Sequence, residues 1–129
     1  MKTLSDTGIF VLRVGISAMM LTHGWPKLIK WIAGLAEPSA VNFMDFMGMG
    51  PFVSLSLCVV GEFVAPIAII VGWKTKWFAS VAAFTMFVAA FVAHAGDSYG
   101  DREHALLFLL PFLVLVLTGA GRWSLDQRH

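Results

Sequence analysis

Charge is scarce in this chain. Of 129 residues, 13% are Asp, Glu, Lys or Arg and 58% are hydrophobic, with a mean hydropathy of +0.79; a soluble globular domain carries about 25% charged residues. The shortage leaves no room for a separate soluble domain and points to a membrane protein. Nor is the charge biased: nine Lys and Arg against eight Asp and Glu leave a formal +1, which excludes a nucleic-acid footprint and an acidic tail. Cysteine is scarcer still. With Cys58 alone, an intramolecular disulfide, a CxxC pair and a cysteine-built zinc or iron–sulfur site within one chain are ruled out, so thiol exchange would need a partner. The seven methionines are scattered, with no pattern that marks a copper or other metal site.

What is present is apolar length. Crossing a hydrocarbon core of roughly 30 Å takes about 20 apolar residues per helix, and four such stretches fill the chain, at about 7–32, 52–73, 77–95 and 104–121. They lack the in/out alternation of barrel strands. The expected fold is therefore all-α, an integral membrane four-helix bundle in a single domain over residues 1–129. The apolar start resembles a signal peptide, and Gly34-Leu35-Ala36 a cleavage site. That run is too long, however, and contains Arg13, His23, Lys27 and Lys30, so it reads as a retained span.

Lys2, Lys74, Lys76, Arg122 and Arg128 fall on one side of this arrangement, and Glu37, Asp45, Asp97, Asp101 and Glu103 on the other. The positive-inside bias places both termini in the cytoplasm. Trp73 and Trp77 bracket the cytoplasmic hairpin and Trp25 and Trp31 lie near the outer end of the first helix, as lipid-interface anchors do. Ala79/Ala83 and Ala89/Ala93, at four-residue spacing, are packing positions that let helices approach closely.

Ionisable side chains inside the bilayer cost several kcal/mol, so they face the bundle interior and find partners. Arg13, Met20, His23 and Lys27 fall within an arc of roughly 80° on the first helix, counting about 100° per residue. Pro26 interrupts that stripe and removes one backbone bond. Glu62 is the acid deepest within a span; at a rise of about 1.5 Å per residue it lies roughly 15 Å in, as does His23, with Lys27 about a turn further out. His94, Glu103 and His104 close the outer ends of the third and fourth helices.

Two readings follow. Glu62, His23 and Lys27 form either a buried ionic latch between helices 1 and 2, or an acid–base cluster that binds a polar head group or moves protons. Arg13 either belongs to that cluster or snorkels to the cytoplasmic interface. Cys58, one turn before Glu62, reads as a small packed hydrophobe. A haem between His23 and His94 is compatible with a four-helix arrangement, though no spacing demands it.

The segments "LRVGISAMMLTHGWPKL", "GEF" around Glu62, the outer His94 and the ending "GAGRWSLD" together resemble the DoxX family of small four-helix membrane proteins, over essentially the whole chain. Most specific are Arg13 followed by His23-Gly24-Trp25-Pro26-Lys27, and Gly121-Arg122-Trp123-Ser124-Leu125-Asp126. The resemblance implies a four-span protein of the bacterial or archaeal cytoplasmic membrane. It also implies a link to oxidoreductase systems, one relative being the membrane subunit of a thiosulfate:quinone oxidoreductase. It points to Arg13, His23, Lys27 and Glu62 as functional residues and to Arg122 and Asp126 as a cytoplasmic cap.

The expected function is a redox-associated membrane subunit offering a quinone pocket, lined by Arg13, His23, Lys27, Glu62 and His94. His23 or Lys27 would hold a quinone carbonyl and Glu62 would exchange its proton. With lipid around it, such a chain needs a protein partner or a second copy of itself. The alternatives are a non-enzymatic assembly factor and, behind both, a solute or proton transporter, for which one four-span chain has no room for two inverted repeats.

Overall fold

The computed structural model describes residues 2–41, 43, 48–93, 99–121 and 123–128. Among these the chain is all-helical, with four long helices and no strand. Helix α1 is Lys2–Ala36 and α2 is Pro51–Val71, the latter containing a π-helical turn at Val60–Val64. Helix α3, Thr75–Val88, runs on into a second π-helical turn at Ala89–Ala93. Helix α4 is Tyr99–Thr118.

Segments Leu4–Ala36 and Pro51–Val71 are long and apolar enough to cross a membrane, while Thr75–Phe91 and Ala105–Thr118 are shorter apolar helices. Helix α1 exceeds the expected span at both ends and passes through Pro26 without ending. The hairpin expected at Lys74-Thr75-Lys76 is shifted towards the N-terminus. Helix α2 stops where Gly72 turns left-handed (φ 75°), and Lys74 follows it there (φ 48°), so that Thr75 already belongs to α3.

The core forms where α3 lays a face of small residues against α4. Ala79, Ala82, Ala83, Met86 and Ala90 are buried with Phe108, Phe112 and Leu115, and Met20, Ala65 and Ile69 complete the cluster from α1 and α2. Small side chains on one helix opposite aromatic rings on the other allow close approach, and van der Waals contact of this kind holds helices together where the surroundings are as apolar as the interface. Ala79 and Ala83 take the packing role their spacing implied.

Polar order concentrates where the C-terminal segment folds back over the ends of α2, α3 and α4. A helix leaves its last carbonyls and first N–H groups without partners, and here those of α2 and α3 are answered in turn. At the end of α2, Trp73 N donates to Ala68 O (3.0 Å) and Gly72 N to Ile69 O (3.0 Å), while Asp126 N donates to Gly72 O (2.8 Å). At the start of α3, the Asp126 carboxylate accepts from Lys74 N (2.7 Å) and Thr75 N (2.9 Å). Arg13, 1% exposed, reaches across from α1. Its guanidinium donates to the carbonyls of Ala120 and Trp123 and, at 3.4 Å, to Ile70, with Phe10 5.2 Å below it.

Ser124 occupies the space a Gly72 side chain would need. The tail is thus tied to three helices by one arginine and one aspartate, and Asp126 fills the capping role that the resemblance implied. Arg122 lies outside the described residues.

Removing the Asp126 carboxylate should cost about 1–2 kcal/mol, the range for a lost helix cap. Thermal unfolding in mild detergent should give Asp126→Ala a lower midpoint than Asp126→Asn, which keeps one acceptor. Arg13→Met, which strands three carbonyls, should fall further, by about 2–3 kcal/mol.

Candidate functional site

Glu62 owes its position to a break in helix periodicity. Pro66 has no N–H, so in a regular helix the Glu62 carbonyl would lack its donor four residues on and would clash with the proline ring. The chain meets this with the wider turn at Val60–Val64, in which Ala65 N reaches back to Val60 O. Such π-helical turns are common at functional sites. Here the turn carries Glu62 inward, and its side chain is 4% exposed.

A buried carboxylate needs a cation. Lys27 of α1 supplies it: its Nζ lies 2.7 Å from Oε1 and 2.6 Å from Oε2 of Glu62. The lysine side chain remains 34% exposed, so one end of the pair is sealed and the other reaches the surface.

Two glycines let the neighbouring helices close on this turn. A Cβ on Gly24 would overlap the Glu62 carbonyl oxygen, and one on Gly61 would overlap the Thr85 hydroxyl. With those side chains absent, α1 packs against the backbone of the π-helical turn on one side and α3 on the other. The Thr85 hydroxyl donates to Val81 O at 2.9 Å. Neither glycine stood out in the sequence, although Gly24 lies inside the His-Gly-x-x-Lys motif and Gly61 directly precedes Glu62.

Between α2 and α3 lies a cavity of about 540 Å³. Its walls are mostly apolar, with Leu57, Val60, Val81, Phe84 and Val88 among them; Lys27 and Glu62 are its charged residues, and Ser54, Cys58, Ser80 and Thr85 add smaller polar groups. Leu57, Val60 and Phe84 are also exposed on the outer surface, so the cavity is a lateral groove between helices. Cys58 lines the same groove as Glu62. Trp31 flanks this end of the molecule; its Nε1 donates to Ser56 Oγ (2.8 Å) and its ring stacks on Phe52 at 6.3 Å. It serves as a packed, hydrogen-bonded side chain, whereas Trp25 remains exposed.

The expected site residues divide. Lys27 and Glu62 come together, although the depth count puts His23 level with Glu62 and Lys27 a turn further out; the length of the lysine side chain closes that gap. His23 is not among the groove-lining residues; it is turned towards α4, where its ring meets Phe108 edge-on at 5.3 Å. Lys27, rather than His23, therefore takes the carboxylate. Arg13 belongs to the tail contacts at the other end of the molecule, and Met20 is buried in the core. The four do not form one stripe of function. His94 lies outside the described residues, as do Asp45 and Asp97, and Glu103 is exposed on α4. Among the described residues no group of His, Cys, Asp or Glu is arranged to hold a metal ion.

An apolar helical chain that seats a lysine–carboxylate pair beside a lateral groove has the composition of a membrane protein and a ligand-sized recess. Its family follows from comparison: the DoxX family model matches residues 8–95, and the chain belongs to the DoxX family. Inner membrane protein YqjF of Escherichia coli (strain K12) is 30% identical, over 98% of this chain and 95% of its own length. Inner membrane protein YphA of the same organism is 25% identical, over 93% and 89%. No solved structure matches.

A methyl group at residue 24 should push α1 off the π-helical turn, so Gly24→Ala should lose about 1–3 kcal/mol, as overpacked sites do. Lys27→Met strands the buried carboxylate and should destabilise more than the double variant Lys27→Met/Glu62→Leu, which replaces both charges. Thermal unfolding of the four proteins side by side checks both.

Proposed function

We propose that this protein is a multi-pass component of the bacterial inner membrane whose four helices all cross the bilayer with both termini in the cytoplasm, and that the groove at Lys27 and Glu62 receives a quinone serving a larger redox system. The inner-membrane location draws on the names of the two Escherichia coli relatives. The topology draws on the positive residues around the α2–α3 hairpin and C-terminal tail and on the positive-inside bias.

One observation carries the ligand reading: a lateral, largely apolar groove with a buried ion pair as its polar end. A ring with an isoprenoid tail has the same division, and the donor set fits it. When bound, a quinone supplies a carrier for two electrons and two protons.

The residues of this chain have narrower tasks. Lys27, with three donors and one carboxylate to share them with, retains N–H capacity for an acceptor oxygen in the groove. Glu62 fixes the lysine by ligating it from the buried side and is the carboxylate that can hold or return a proton at that end. Phe84, Val81 and Val88 exclude water along the wall. His23, facing α4, has no role at this carbonyl. Electrons must come from a partner, since the lone Cys58 offers no thiol pair.

An ionic latch that stiffens α1 against α2 for an assembly partner predicts the opposite outcome in the same assay. Titration of a short-tailed benzoquinone into the detergent-solubilised protein should show saturable binding, weakened about tenfold or more in Lys27→Gln and Glu62→Gln, the loss of one charge-assisted hydrogen bond. It should remain unchanged in His23→Ala. Equal binding in all four, with the two charge variants merely less stable, would leave a structural latch. Reporter fusions at residue 129 and within residues 42–47 should report cytoplasmic and periplasmic locations respectively.

A further inference from the structure

A second cavity, of about 680 Å³, lies at the opposite end of the molecule, among Asp6, Ile9, Lys74, Thr75, Lys76, Trp77, Thr118 to Gly121 and Asp126. It is mainly polar, it is well separated from Glu62, and nothing proposed above uses it. We propose that it holds the head group of a zwitterionic phospholipid, a phosphate linked to a primary ammonium, with Lys76 and Thr75 on the phosphate and Asp6 on the ammonium.

The cavity offers charge of both signs from different helices. Lys76 comes from the first turn of α3, and its Cε lies beside Gly119, where a Cβ would stand 3.3 Å away. The glycine, left-handed at φ 77°, thus leaves a channel along which the lysine stem runs. Asp6 stands on α1 and Asp126 in the C-terminal segment, but Asp126 is already committed to Lys74 N and Thr75 N. Lys74 is drawn aside, its ammonium 5.0 Å from the Trp73 ring. That leaves Lys76 and Asp6 as the opposed charges the cavity offers.

Thr75 adds an independent sign of a ligand. It lines the cavity, is fully buried, and its Oγ1 has no hydrogen-bond partner among the described residues. A buried hydroxyl left unpaired costs about 1–3 kcal/mol, and an acceptor oxygen placed in the cavity would remove that cost.

The surroundings favour a lipid over free phosphate. Trp77, 66% exposed, lies at the cavity wall, and Leu117, 80% exposed, lies on α4 next to Thr118. Val11 and Leu113 extend the apolar surface along α1 and α4 away from the cavity. A head group seated here would have its acyl chains on that surface. Space is ample, since 680 Å³ is the liquid volume of about twenty waters. The proposal rests on the four-span reading for placing this end at a leaflet. Head-group binding is measured without reference to sidedness, so a failed topology and a failed lipid site give different results.

The test is native mass spectrometry of the full chain in detergent, with phosphatidylethanolamine, phosphatidylcholine and phosphatidylglycerol added separately at equal concentration, and inorganic phosphate as competitor. One retained phosphatidylethanolamine is expected, bound about tenfold more tightly than phosphatidylcholine, whose quaternary ammonium has no N–H for Asp6, and than phosphatidylglycerol, which has no cation. Asp6→Asn should erase that preference, whereas Lys76→Gln, which loses the contact to the phosphate that the three lipids share, should weaken all three about tenfold. Thr75→Val, which fills the same space, should weaken binding without lowering the unfolding temperature.

Equal retention of the three lipids, a preference that survives in Asp6→Asn, undiminished binding in Lys76→Gln, or displacement by millimolar phosphate alone would overturn the proposal. So would Thr75→Val binding as tightly as the parent.

Discussion

Each polar group that this chain sets among apolar neighbours must be answered by another part of the chain, and two buried charges, Arg13 and Glu62, impose that requirement most strongly. Neither can be left alone: an unpaired charge in a low-dielectric interior costs far more than any single packing contact returns. Arg13 is answered by backbone carbonyls at the ends of α2 and α4 and in the tail, Glu62 by a lysine from α1. The solutions differ in kind. Carbonyls are fixed in direction by their helices, so Arg13 pins the ends of three elements at once. An ammonium on a four-carbon stem can swing, so Lys27 can hold Glu62 and still offer a donor to something else. One end of the molecule is therefore fastened and the other adjustable.

The adjustable end depends on the backbone before it depends on charge. Pro66 withholds a donor, the chain widens into a π-helical turn, and the turn both buries Glu62 and lets Gly24 and Gly61 admit the neighbouring helices. The groove between α2 and α3 lies alongside this distortion. A regular helix through the same residues would rotate the part of α2 beyond Glu62 relative to the part before it by about one residue's angle, roughly 100°, and the apolar wall and carboxylate would no longer share a face.

Much of this was legible in the sequence. Hydropathy located four apolar segments, and Glu62, His23 and Lys27 stand out as one cluster, although the depth count puts His23 level with Glu62 and the structure gives the carboxylate to Lys27. What escaped has common physical roots. The partners of Arg13 are main-chain oxygens, which no side-chain motif displays, and Ala120 and Ile70 look like ordinary apolar positions. His23 shares an arc with Lys27 on an ideal helical wheel, but its ring meets α4 while the Lys27 ammonium turns to α2, a difference fixed by helix packing that a single-helix wheel does not contain. The two glycines signal close approach only once the neighbouring helix is known. The hairpin boundary moved because Gly72 and Lys74 adopt left-handed backbone geometry, which shifts the start of α3 back to Thr75.

The link between Arg13 and the tail has a consequence in time. Arg13 and the carbonyl it grips at Ala120 are separated by 107 positions, and at roughly 5–20 residues per second the ribosome needs about 5–20 seconds to span them. Throughout that interval the first helix carries a guanidinium whose final acceptors do not yet exist. A nascent chain in this condition has reason to keep Arg13 near water until the segment that carries Ala120 and Trp123 has been made.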